Sequence, residues 1–187
     1  MKIVDMVESQ IIASIKKESD IDKAINGTPN IAFLLTGNLL NLKQYIDRLK
    51  QNDMHVFLHL DFIEGMSNSR VAIKYIAQEW KPSGIITTKN NLVKYAKEEG
   101  LLTIQRIFLI DHSALQNGLQ MIKTCTPDAV EVLPALMPKI IDTLSRKLTI
   151  PLIVGGLISS KEEILDALRA GALAVSSGNP NLWKIDL

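Results

Sequence analysis

Eight times along this chain, a short apolar run rich in β-branched residues gives way to a stretch with helical spacing. The runs are IIASI (11–15), IAFLL (31–35), HVFLHL (55–60), GIITT (84–88), LTIQRIFLI (102–110), AVEVL (129–133), PLIVGGLI (151–158) and ALAVSS (172–177). They are continuously apolar rather than alternating, which marks parallel strands covered on both faces. Between them Leu42, Tyr45, Ile46 and Leu49 sit at i, i+3, i+4 and i+7. Val71, Ala72, Tyr75, Ile76 and Trp80 form a similar stripe, as do Met137, Ile140, Ile141, Leu144 and Leu148. Ser160 with Glu163 reads as a capping box and Ser113 with Gln116 as a weaker one. Gly100 and Gly171 stand where a left-handed C-cap residue precedes the next strand.

No Pro/Gly/Ser linker interrupts the alternation, so residues 1–187 read as one domain, a single (β/α)8 TIM barrel. Eight units in 187 residues allow about 23 residues each, lean beside the ~250 typical of such barrels. The barrel is therefore expected to be compact with some short helices, at 19–26 and near 180–185. A doubly wound open sheet would use fewer strands and carry a Gly-rich turn after the first, which is absent. With 47% hydrophobic and 22% charged residues, disorder is excluded. The lone Cys125 rules out an intramolecular disulfide or a Cys-rich metal cluster, and reads as a helix-end packing residue. No apolar run approaches the ~18 residues needed to span a bilayer, and a soluble, cytoplasmic protein without membrane contact is expected.

The informative polar residues interrupt or close the apolar runs. Lys16 ends the first strand. His59 and Asp61 end the third, two apart and so on one face. Lys89 follows the fourth at the parity of Ile85 and Thr87, Arg106 lies in the fifth and Glu131 in the sixth. In a barrel these gather at the C-terminal mouth, where ligands bind. Unpaired buried charge is costly, so three cations and two carboxylates there must pair with each other or bind something. Gly155-Gly156 ends the seventh strand and Ser176-Ser177-Gly178-Asn179 the eighth. Glycines admit close backbone approach and serine hydroxyls add donors, and barrel phosphate sites are commonly built from these two loops. Gly155, Gly156, Ser176 and Ser177 are thus the expected cradle of a phosphate monoester. His59, Asp61 and Glu131 are alternatively a thin ligand set for a divalent metal, or an acid and base acting on a phosphosugar. No second histidine ends another strand, and no metal or catalytic residue is assigned.

The stretches HLDFIEGMS (59–67), GIITTK (84–89), TIQRIFLID (103–111), PDAVEVLP (127–134), PLIVGGLI (151–158) and AGALAVSS (170–177) occur in this order. Together the chain, from about residue 11 to Trp183, resembles the glycerol uptake operon antiterminator regulatory proteins of Gram-positive bacteria. The resemblance implies a (β/α)8 barrel that is not an enzyme and has no cofactor. It implies a response to glycerol 3-phosphate and action on the leader mRNA of glycerol-catabolic genes. Backbone groups around Gly155, Gly156, Ser176 and Ser177 would hold the phosphate, with Lys16, Lys89 or Arg106 adding a charge-assisted contact. Glu131, Asp61 and His59 would take the glycerol hydroxyls. Segment 62–69 is a candidate lid, and a homo-oligomer is a second route to switching. The alternative is a phosphosugar isomerase, epimerase or aldolase on the same barrel.

The chain departs from the family's usual pattern at Leu133-Pro134-Ala135, where Leu-Pro-Gly is common, at Asp111-His112-Ser113 and at Ser176-Ser177-Gly178. Alanine resists positive φ, so the sixth loop is expected to change course. The RNA side has little local signal. Aromatics are 5% and 21 Lys+Arg face 20 Asp+Glu, whereas grip by global charge would demand a more basic chain. The clusters Lys43/Arg48/Lys50 and Lys139/Arg146/Lys147 read first as solvated helix faces.

Overall fold

The computed structural model describes residues 2–187. Its strands are β1 (Ile11–Ile15), β2 (Ile31–Leu34), β3 (His55–His59), β4 (Gly84–Thr87), β5 (Leu102–Phe108), β6 (Ala129–Leu133), β7 (Leu152–Gly155) and β8 (Ala174–Ser177). They run parallel in chain order, and β8 closes the barrel by pairing with β1. The helix α1 (Ile3–Met6) precedes the first strand. After successive strands come α2 (Ile21–Ile25), α3 (Leu42–Lys50), α4 (Arg70–Tyr75), α5 (Asn90–Glu98), α6 (His112–Cys125), α7 (Pro138–Lys147) and α8 (Lys161–Arg169). The expected economy falls at both ends, where α2 has 5 residues and β8 is followed by a 3-10 turn over Leu182–Lys184.

Two apolar layers follow from strand alternation. Ile11, Ala13 and Ile15 pack outward beneath the helices with Leu34, Ile85, Val130, Val154 and Val175. Ile12, Phe33, Phe57, Ile86, Ile104, Ala129, Ile153 and Ala174 fill the barrel. Ile3 and Met6 of α1 join this inner cluster, and Asn30, just ahead of β2, donates to the Met6 carbonyl at 2.7 Å. The short N-terminal helix therefore corks the lower end of the barrel. Four residues are too few to display a helical period, so the sequence does not announce it.

Two local expectations change. Downstream of α4 the chain widens into a π turn over Ile76–Trp80 that ends at Lys81 with φ +50°. The wider turn breaks the 3.6-residue spacing. Ile73, Ile76 and Trp80 are buried, whereas Val71 and Tyr75 are 78% and 50% exposed. In the second case Asp111 rather than Ser113 caps α6, its Oδ1 accepting from the Ala114 amide at 2.8 Å. At the sixth loop Ala135 is not among the residues with positive φ. The Ser160–Glu163 capping box forms as expected, and Gly100 and Gly171 adopt φ of +77° and +101°.

Candidate functional site

Residues pointing inward change from apolar to polar as the strands approach their C-terminal ends. A cavity of about 380 Å³ opens there, walled in part by Ser14, Lys16, Phe62, Arg106, Glu131, Gly156, Ser176, Ser177 and Asn179. The last two loops meet because Gly155 and Ser176 are register partners across β7 and β8.

The floor of the cavity is a closed hydrogen-bonded set. Arg106 Nε donates to Glu131 Oε2 at 2.5 Å, and Ser176 Oγ donates to Glu131 Oε1 at 2.5 Å. The three side chains are 5%, 0% and 3% exposed in the order Arg106, Glu131, Ser176. A charge this deep is tolerated because its partner and its hydrogen bonds are in place. Gly155 serves this set rather than the cavity wall. A Cβ there would stand 2.0 Å from Ser176 Oγ and 3.2 Å from Glu131 Oε1. Its absence gives the hydroxyl room to reach the carboxylate.

Above the floor lie uncommitted donors. The Lys16 stem rests on Gly178, where an added Cβ would come within 3.0 Å of Cε and 3.2 Å of Nζ. Among the described residues no carboxylate lies within ion-pair distance of the Lys16 ammonium. Ser177 Oγ accepts from the Asn179 amide at 3.1 Å, which leaves its own O–H to donate. Trp183 Nε1 donates to the Ser177 carbonyl at 2.8 Å and ties this loop to the barrel. Gly156 turns with φ +80°, and Leu157 follows with φ +63°. Arg106 commits only Nε to Glu131. One cation, the Ser177 hydroxyl and the Gly156–Leu157 turn make a surface suited to an anion.

His59, Asp61 and Lys89 sit to one side. β3 stops at His59 and Leu60–Phe62 form a 3-10 turn, so Asp61 does not share a strand face with His59. The Asp61 carboxylate instead brackets the end of β4. It accepts from the Thr88 amide at 2.8 Å, Thr88 Oγ1 at 3.1 Å and Thr87 Oγ1 at 3.2 Å, and lies 3.6 Å from Lys89 Nζ. The inward residue of β4 is Ile86, so the parity of Ile85 and Thr87 leads outward. Lys89, past the strand end, reaches Asp61 from the start of α5. His59 is 1% exposed beneath Phe62, with ring centroids 4.6 Å apart. Burial, followed by the Arg106 guanidinium, pushes its imidazole pKa down to about 3, against the opposing pull of Asp61. It is neutral at ordinary pH.

Sequence reading left Ser14 and Asn179 without a role in the wall. Ser14 was detectable, since it lies two residues before Lys16 on the same strand face. Half of the two basic clusters' six cations are paired with carboxylates among the described residues. Lys43 pairs with Asp47, Arg48 with Asp22 and Arg146 with Asp142, while Lys50 donates to the Lys81 carbonyl. Cys125 ends α6 and is buried, its thiol pKa raised by burial, in keeping with a packing role. No helix among the described residues is long and apolar enough to cross a membrane.

Comparison with known proteins bears on the whole barrel. A glycerol uptake operon antiterminator regulatory protein from Listeria monocytogenes superposes with a TM-score of 0.92 at 32% identity, covering 98% of each chain. A glycerol uptake operon antiterminator-related protein from Thermotoga maritima gives 0.83 at 31% identity, over 94% of this chain and 98% of that one. The uncharacterised protein YgcP of Escherichia coli K12 is 31% identical over 178 residues, 95% of this chain and 93% of its own length. Residues 11–183 match the family described as glycerol-3-phosphate responsive antiterminator. With that match spanning nearly every strand and helix described above, the chain belongs to the glycerol-3-phosphate responsive antiterminator family.

Proposed function

We propose that this chain is a cytoplasmic, glycerol 3-phosphate-gated regulator acting on the leader mRNA of glycerol-catabolic genes, and that it performs no chemistry on its ligand. The observation that carries the reading is the unpaired Lys16 lying across Gly178, beside Ser177 and Gly156, in a cavity of about 380 Å³. That volume suits a three-carbon phosphate ester, and the donors converge where its phosphate would sit. The Ser176–Glu131–Arg106 set below them forms the polar floor of that cavity.

The same set argues against a phosphosugar isomerase, epimerase or aldolase. A general base must reach the proton that it abstracts in a plausible substrate pose. Glu131 is tied to Arg106 and Ser176 beneath the cavity, while Asp61, bound to Thr87 and Thr88, and His59, under Phe62, are absent from the cavity's lining in this conformation. The surface holds its carboxylates still rather than offering them as bases.

Isothermal titration with glycerol 3-phosphate is the direct test. Saturable binding is expected, with Lys16→Met weakening it by about tenfold, the scale of one charge-assisted hydrogen bond. The ligand's phosphorus NMR signal should be unchanged after prolonged incubation with the protein. Absence of binding at millimolar ligand, or turnover of the ester, would overturn the reading.

A further inference from the structure

His59 is buried, and neither of its ring nitrogens has a hydrogen-bond partner among the described residues. Its Nδ1 stands 3.7 Å from Asp61 Oδ2, beyond hydrogen-bond range, and that carboxylate is already spent on Thr87 and Thr88. A buried polar group left unpaired is costly, and native proteins keep few without a use for them. What covers the imidazole is an aromatic ring that is not itself buried. Phe62 packs edge-on at an interplanar angle of 71°, is 54% exposed, and forms part of the cavity wall on its other side.

From this arrangement we propose that Phe62 is a gate over a second subsite, in which His59 receives the hydroxyl-bearing carbons of a phosphorylated polyol once the Phe62 ring has swung aside. The inference rests on the phosphate-binding role proposed above for Lys16 and Ser177. The turn that carries Phe62 is anchored on either side by Leu60 and Ile63, 4% and 7% exposed. The ring can therefore move by side-chain rotation while the backbone stays seated. Farther along, the Glu64 amide donates to the Gly37 carbonyl at 3.2 Å, which fixes the segment to the second loop. A neutral imidazole offers one N–H donor and one acceptor nitrogen. That pair complements hydroxyl groups, each of which both donates and accepts, and it has nothing to offer an alkyl chain. The subsite would thus separate a phosphorylated polyol from a simple alkyl phosphate of the same length.

The test compares glycerol 3-phosphate with n-propyl phosphate, which keeps the three carbons and the phosphate but lacks both hydroxyls. Imidazole nitrogen-15 shifts are recorded on the intact protein, and affinities are measured by calorimetry. Glycerol 3-phosphate should move both His59 nitrogen signals, and n-propyl phosphate should leave them in place. The unaltered protein should prefer glycerol 3-phosphate by about tenfold or more, and His59→Phe should bring that ratio to about twofold or less. Phe62→Ala should speed association of glycerol 3-phosphate in stopped-flow mixing. Unmoved His59 signals in a protein that demonstrably binds glycerol 3-phosphate would overturn the subsite, as would an undiminished preference in a folded His59→Phe variant. Binding of neither ester would instead remove the underlying phosphate reading. The nitrogen-15 measurement needs no variant and stands even if His59→Phe does not fold.

Discussion

Arg106 and Glu131 divide the work of a buried ion pair unequally, because Glu131 also holds the Ser176 hydroxyl while Arg106 keeps donors in reserve. Removing one partner leaves the other charge buried and uncompensated, whereas removing both removes the desolvation penalty as well. Arg106→Leu is accordingly expected to lower stability by about 3–5 kcal/mol. The double variant Arg106→Leu/Glu131→Leu should recover most of that loss, and urea unfolding of the four proteins of the cycle checks it. The placement of these two residues was readable, since each continues the two-residue alternation of an inward apolar neighbour, Ile104 or Ala129. Asp61 and Lys89 were harder. Alternation assigns a face only while the chain remains extended, and β3 ends at His59 just as β4 ends at Thr87. Phe62 was legible only as part of a loop, because its contact with His59 is made by a turn whose shape the sequence does not spell out.

Among the elements, β7 and β8 depend on each other through a single missing side chain. Gly155→Ala would set a methyl 2.0 Å from Ser176 Oγ and 3.0 Å from the Ser176 carbonyl oxygen. The first contact can be relieved by rotating or deleting the hydroxyl, but the second is with backbone, which would have to shift by a few tenths of an ångström. The substitution is expected to cost about 1–3 kcal/mol, typical of overpacking, with only partial rescue by Ser176→Gly in a thermal unfolding series. Most elements were legible for ordinary reasons. Helices α3 and α7 keep a regular apolar stripe, and α8 carries a complete capping box. Where the reading slipped, the cause was local geometry. The π turn after α4 moves the buried face away from Val71 and Tyr75, and Asp111 captures the cap of α6 before Ser113 is reached.

At the level of the whole molecule, His59 ties stability to pH. In the native protein its pKa is pushed down to about 3, first by burial and then by Arg106. In the unfolded chain it returns to about 6.5. Between these values the unfolded chain takes up a proton that the native state refuses, so stability falls as pH drops through 6.5 toward 3. The slope reaches at most about 1.4 kcal/mol per pH unit, the value of one proton. Above 6.5 the residue makes no pH-dependent contribution. In His59→Phe that proton is gone, and the difference between urea midpoints at pH 7.5 and pH 5.0 should shrink relative to the parent; His55 and His112 are common to both proteins and cancel. The closed eight-strand architecture itself was the most legible feature, because eight continuous apolar runs in parallel order have few other ways to cover both faces. The small helix that stoppers the opposite end was the least legible. It caps an interior already filled by side chains, so the cavity lies at the mouth alone, among the loops that follow the strands. A molecule lodged there arrives and departs past the same lip of loops, and these are the parts of the protein that both it and the surrounding solution touch. Under the proposed function, occupancy would be reported outward at the threshold where it is decided.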